Sequence, residues 1–190
     1  VTHTADGKGR LCTKHWIHAY TDPILAVLMN PIHGKYDTYT GHMWECEGEI
    51  GRRNGDRKVG CKKLTTIKRI DMPRITIEQR IRFAILCAKK VCKDRKWNKW
   101  ANGWLSRKDR TADAARAAHT AAAVDTTYAT CAATYTIDAA AAVDATSIAY
   151  AAAYAVAYAV DAANINLIEI AHEAVKAEGE RNDTCSCQLA

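Results

Sequence analysis

Apolar residues recur along this chain in three rhythms, and each predicts a different element. In DPILAVLMNP, residues 22 to 31, they are nearly continuous. Asp22 before Pro23 suits an N-cap followed by proline at the first helical position, and Pro31 closes the run, so a short helix is predicted over 23–29. From 42 to 70 apolar positions alternate around Asn54-Gly55, the signature of a β-hairpin with a two-residue turn. If Arg53 faces Asp56, then Ile50 faces Val59 and Trp44 faces Thr65. Cys46, Ile50, Val59, Cys61 and Ile67 then share one apolar face that can pack on the 23–29 helix. From Ile77 onward the period becomes helical, through Ile81, Ala84, Ile85, Ala88, Val91 and Cys92. Thr76 and Gln79 stand in the capping-box relation, and Asn102-Gly103 punctuates the end of this amphipathic helix.

Between Trp104 and Glu178 there is neither Gly nor Pro. A single helix of that length would extend about 112 Å, an odd shape for so small a chain, so the segment is predicted to fold back. Ser106 and Asp109 form a capping signal that starts a helix near Arg107. The short polar side chains of VDTT at 124–127 and VDATS at 143–147 compete with helix, which places turns there and helices near 107–123, 127–143 and 147–178. The rival arrangement is one rod from 107 to 178 that dimerises to bury its face. Ala149, Ala153, Val156, Val160, Ala163, Leu167, Ile170 and Ala174 alternate four and three apart, a heptad packing seam. Tyr150, Tyr154 and Tyr158 lie beside it, either covering alanine surface or offering a protein-recognition stripe.

These patterns predict a mainly α fold: an alanine-rich helical bundle or coiled coil over 74–180, preceded by a small basic α+β module with a hairpin over 1–72 and followed by a tail over 181–190. Charge sharpens the division. Residues 1–110 carry 24 Lys/Arg against 11 Asp/Glu, a net of +13, whereas 111–190 carry 3 against 10, a net of −7. Such asymmetry can draw a polyanion to the front, or pair the halves of one or two molecules as a homodimer. Within 52–74 the cations Arg52, Arg53, Arg57, Lys58, Lys62, Lys63, Lys68, Arg69 and Arg74 meet only Asp56 and Asp71, which makes Arg52, Arg53, Lys62, Lys63, Lys68 and Arg69 candidate nucleic-acid contacts along the hairpin 52–69, with the basic helix 89–110 as a second surface. Trp97, Trp100 and Trp104 sit in that second surface, either stacking on bases or covering the end of a helical bundle.

Metal-like spacing occurs once. Cys12-x2-His15 and His42-x3-Cys46 could together supply the two thiolates and two imidazoles of a structural zinc site, so zinc is the one candidate cofactor. His15, His18, His33 and His42 could supply a general base for a hydrolase or nuclease, but no nucleophile elbow, phosphate-binding glycine loop or helical His-Glu metal motif accompanies them. The eight cysteines fall partly in helical segments, which points to buried thiols in a reducing cytoplasm and not to a disulfide scaffold. The stretch from Ala145 to Val160 is uncharged but shorter than the roughly 20 apolar residues of a bilayer span, so no membrane helix is expected.

EQRIRFAILCAKKV, WLSRKDRTADAARAA and the Ala-Tyr triplets ending in AYAVAYAVDAANI resemble alanine-rich hypothetical proteins of tailed phages and prophage-bearing bacteria, some of them immunity-like. The resemblance covers roughly 77–176. It implies a helical protein without assigned activity, and it brings no catalytic residues. The chain is therefore expected to be a non-enzymatic, phage-related accessory protein that binds a protein partner through its helical face.

Overall fold

The computed structural model describes residues 1–33, 40–55, 58–111, 113–115, 117–118, 135–136, 138 and 145–176, with the side chains of 31–33, 145–150 and 161–162 outside the description. In chain order the elements are β1 (Thr2–Thr4), β2 (Ile17–Ala19), α1 (Pro23–His33), β3 (Met43–Asn54), β4 (Lys58–Ile70), α2 (Ile77–Val91), α3 (Arg95–Leu105), α4 (Ala145–Ala162) and α5 (Leu167–Lys176). This is an α+β fold with a four-stranded antiparallel sheet, and it corrects the expectation of a mainly α bundle or coiled coil. The long strand β4 explains the difference. Its thirteen residues pair with β3 on one edge and recruit both β1 and β2 on the other, from a segment whose sequence shows no strand signal.

The hairpin forms, but in another register. Asn54 pairs with Lys58, so three residues separate the strands instead of two; Ile50 pairs with Cys61 and Trp44 with Arg69. Gly55 takes the left-handed φ of +52° that begins the connection, a conformation glycine adopts without a Cβ penalty. Three irregularities in pairing, after Glu45, Glu49 and Ile50, then shift the faces along β3. As a result Val59 and Cys61 are buried while Ile50 and Ile67 remain 38% and 53% exposed. Among the described residues the outer edge of β3 has no strand partner, and Glu45, Glu47 and Glu49 give that edge the charge that discourages further pairing.

The sheet has two differently covered faces. On one, the 5–16 segment folds over β3 and β4 and lays Trp16 across Gly51 and Gly60. A Cβ on Gly51 would stand 2.5 Å from the Trp16 ring, and one on Gly60 2.5 Å from Leu11 Cδ1. These glycines are there for close approach, and the indole fills the space their side chains vacate.

α1 is longer than expected and joins a different core. The Asp22 carboxylate accepts from Leu25 N at 2.8 Å, the predicted N-cap. Pro31 does not stop the helix, which continues to His33. Proline at 31 leaves the Val27 carbonyl without its i+4 donor, and Arg80 Nη1 supplies one at 3.3 Å. Leu25, Leu28 and Met29 belong to one hydrophobic cluster with Phe83, Ile85, Trp97, Val156, Leu167 and Ile170, and α1 packs on α4 and α5.

The predicted helix from 77 to 102 is two helices. The capping box opens α2 as expected, with Gln79 N donating to Thr76 Oγ1 at 3.1 Å and Thr76 N to Gln79 Oε1 at 2.8 Å. It ends at Val91, and Asp94 caps α3 by accepting from Trp97 N at 2.6 Å. Ser106 closes α3, contrary to its expected role as a helix start, and Arg107 follows at φ +61°. Thr111 instead caps the helical residues near 113, accepting from Ala114 N at 3.2 Å. The expected turn at 124–127 and most of the helices 107–123 and 127–143 lie outside the described residues.

The heptad seam is real as a buried stripe but not as a coiled coil. Ala153, Val156, Leu167, Ile170 and Ala174 are buried, Val160 and Ala163 are half-buried and the Ala149 side chain lies outside the description, and the helix breaks after Ala162 and restarts at Leu167, where Asn166 Oδ1 accepts from Glu169 N at 3.0 Å. Both α4 and α5 pack on α2, so the seam is filled from within the chain and the single-rod alternative does not hold.

Candidate functional site

Where the sequence places a packed contact between the 23–29 helix and the hairpin, the structure has a cleft of about 640 Å³. Its floor is the second face of the sheet, through Val59, Cys61, Ile50, Cys46, Leu64 and Ile70. α1 forms the opposite wall with Pro23, Ala26 and Val27, and Met43, Trp44 and Met72 lie at the ends of the strands. The reason is the register. Cys46, Ile50, Val59 and Cys61, four of the five residues expected on the packed face, do line the cleft, but α1 has turned its larger side chains to α4 and α5. The apolar sheet face is left without a full partner.

Several polar groups converge on this apolar space. Asp22 lines it with its carboxylate already engaged, by the α1 N-terminus and by His172 Nε2 at 2.7 Å. Glu45 is paired with Lys68 at 3.1 Å. His18 Nε2 meets the Leu11 carbonyl, and His42 is exposed at the rim. Cys61 is buried, and that burial pushes its thiol up, which keeps it protonated and a poor nucleophile at neutral pH. Lys58, 8% exposed, borders the cleft from the start of β4, but strand alternation sets its side chain with Gly60 on the face that Trp16 covers.

The candidate zinc ligands are placed apart in role. His42 and Cys46 line the cleft, whereas Cys12 is exposed and His15 Nδ1 is held by Asp6 Oδ2 at 2.8 Å. Among the described residues no three His, Cys, Asp or Glu side chains are grouped to hold a metal ion. His33 lies at the end of α1, its side chain outside the description.

The candidate nucleic-acid contacts are exposed along the hairpin, as Arg52, Arg53, Lys62, Lys63, Lys68 and Arg69 all are. Strand pairing sets carboxylates of β3 against part of them: Lys62 reaches Glu49 at 3.8 Å and Lys68 reaches Glu45 at 3.1 Å. Trp97, Trp100 and Trp104 are 0%, 7% and 5% exposed, so these rings offer no stacking platform. Trp104 instead carries the Arg110 guanidinium at 4.1 Å. Arg110 and Arg107 both bind Glu78, at 2.9 and 2.6 Å, and the bond from Arg110 leads in holding that carboxyl down at about 2.

Tyr154 is exposed and Tyr158 half-buried. Tyr135 stacks on both, with ring centroids 5.4 and 5.5 Å away. The Tyr150 side chain lies outside the described residues.

Sequence reasoning missed Trp16 over its two glycines and the Asp22–His172 link between α1 and α5. Only the glycine pair, spaced across a predicted hairpin, carried a signal that could have been read. Among the described residues no helix is long and apolar enough to cross a membrane. No protein-family model, no curated protein and no solved structure matches this chain.

Proposed function

We propose that this protein is a non-enzymatic binding protein whose site is the cleft between the sheet and α1. The observation that carries this reading is an apolar sheet face left open to a cleft of about 640 Å³. That lies within the roughly 300–1,000 Å³ of pockets that enclose small ligands, which are mostly apolar with a few fixed polar groups. Binding without catalysis fits the polar groups, because Asp22 and Glu45 are committed to partners and the Cys61 thiol is kept neutral. The tyrosine stripe is not taken as the partner surface, since its described rings stack within the chain. Nor is the hairpin taken as a nucleic-acid surface, since part of its charge is matched and the nearby tryptophans are buried.

The test is binding of Nile red, a neutral apolar dye, followed by its fluorescence. Wild-type protein should bind it, and Ala26→Trp, which fills the cleft from the α1 wall, should weaken binding by about tenfold or more, or ~1.4 kcal/mol. Unchanged binding in a folded Ala26→Trp variant would refute the site.

A further inference from the structure

Away from the sheet, positive charge gathers around α3. Residues 89–110 carry nine Lys/Arg against two Asp, a net of +7. Both carboxylates are engaged locally: Asp94 caps α3 through Trp97 N, and Asp109 accepts from Thr111 N and Oγ1. Arg107 and Arg110 share Glu78. Five of the other cations form one surface. Arg95, Lys99 and Asn102 stand at i, i+4 and i+7, on the side of α3 opposite the buried Trp97, Trp100, Ala101 and Trp104, and Lys96 flanks them three residues from Lys99. Lys89, in the last turn of α2, donates from Nζ to Asn102 Oδ1 at 2.6 Å and so joins the same side, with the exposed Lys93 in the link between the two helices.

The chemistry of this surface selects its partner. The tryptophans lie beneath it, so it offers neither a stacking platform for unpaired bases nor an apolar wedge for a membrane interface. An α-helix enters the major groove of B-form DNA but not the deep, narrow groove of A-form RNA. Asn98 donates its amide N–H groups to the Cys92 and Asp94 carbonyls at 3.0 and 2.7 Å, and Asn102 accepts from Lys89, so the two side chains suited to reading adenine are occupied. Lysines remain, point charges that meet phosphates without distinguishing bases. We infer that the α2–α3 surface binds the phosphate backbone of duplex DNA without regard to sequence, with Lys96 and Lys99 at its centre. None of these residues lines the cleft, so this binding is independent of the ligand taken there.

The experiment is fluorescence anisotropy of a labelled DNA duplex with the full chain across a salt series, each variant's folding being checked by circular dichroism. About four phosphate contacts give a slope of about −3.6 in log K against log salt, or roughly 150-fold weaker binding at about 200 mM than at about 50 mM salt. Lys96→Gln with Lys99→Gln should reduce the slope by about 1.8, and Lys96→Arg with Lys99→Arg should keep it. Arg52→Gln with Lys63→Gln, on the hairpin, should leave it unchanged, and duplexes of unrelated sequence should bind alike. No binding at the lowest salt, or a slope that survives Lys96→Gln with Lys99→Gln, would overturn the surface. A slope reduced by the hairpin pair instead would place the DNA on β3 and β4. Single-stranded DNA, duplex RNA or polyglutamate binding as tightly as duplex DNA would overturn the choice of partner.

Discussion

Val156 decides whether the alanine-rich seam closes within one chain or between two. It is 0% exposed and lies in the cluster with Ala84, Ile85, Ala88 and Leu167. Val156→Ala removes two methyl carbons at about 0.8 kcal/mol each, or ~1.6 kcal/mol of transfer energy. The space they leave is on the order of 45 Å³, which at ~24 cal/mol per Å³ adds about 1 kcal/mol if the walls stay in place. Alanine neighbours such as Ala84, Ala88 and Ala155 have no side-chain length with which to refill it. The total of roughly 2–2.7 kcal/mol corresponds to a fall in melting temperature of about 4–10 °C for a chain of this size. Val156→Trp tests the same contact from the other side, since overpacking typically costs about 1–3 kcal/mol. Both variants should melt earlier in calorimetry while light scattering reports an unchanged mass. Wild-type melting in either variant, or a change of mass in Val156→Trp, would refute the placement of the seam in the intramolecular core.

Arg80→Met should destabilise by about 1.5–3 kcal/mol in urea titration, as loss of a bond from a charged donor. The loss should shrink in a Pro31→Ala background, where residue 31 regains an N–H for the Val27 carbonyl, and a cycle with no coupling would show that Arg80 does not replace that donor. Glu78, held at about 2 against an ordinary value of 4.5, contributes stability that is complete above pH 4.5 and lost as pH falls toward 2. The shift is worth on the order of 3 kcal/mol at most, and less after screening, since the Glu78 side chain is 28% exposed. Glu78→Gln should therefore lower stability at pH 7 and flatten its slope between pH 4.5 and 2, and parallel curves for the two proteins would argue against the Arg107–Glu78–Arg110 cluster. Gly60→Ala should cost about 1–3 kcal/mol by driving Leu11 and Trp16 off the sheet, with Leu11→Ala restoring part of it in denaturant melts; a neutral Gly60→Ala would mean the indole does not rest there.

Local chemistry was legible wherever a few neighbouring residues settle it. Asp22 before Pro23, Thr76 with Gln79, the helical period from Ile81 to Ala88 and the burial of Val156, Leu167 and Ile170 all follow from side chains that act within a turn or two of themselves. Asp94 and Asn166 were legible in the same way, since each stands three residues before the backbone N–H it caps, but they were passed over because the apolar period runs across them. Tertiary structure decided what depends on partners far away in sequence. The register of β3 on β4 turns on a three-residue connection and three irregularities, and a change of a single residue in pairing exchanges the faces of a strand, so the hairpin's apolar face could not be assigned from alternation alone. β1 and β2 have three residues each and exist only because β4 offers them an edge. Pro31 reads as a helix end until Arg80, 49 positions away, supplies the missing donor. The cleft is the largest of these non-local results: α1 had two apolar surfaces within reach, the sheet and the helices, and the helices could bury Leu25, Leu28 and Met29 more completely. What that choice left open, an apolar floor of Ile50, Val59 and Cys61 facing α1 across a cleft, is a property of the packed chain and of no segment in it.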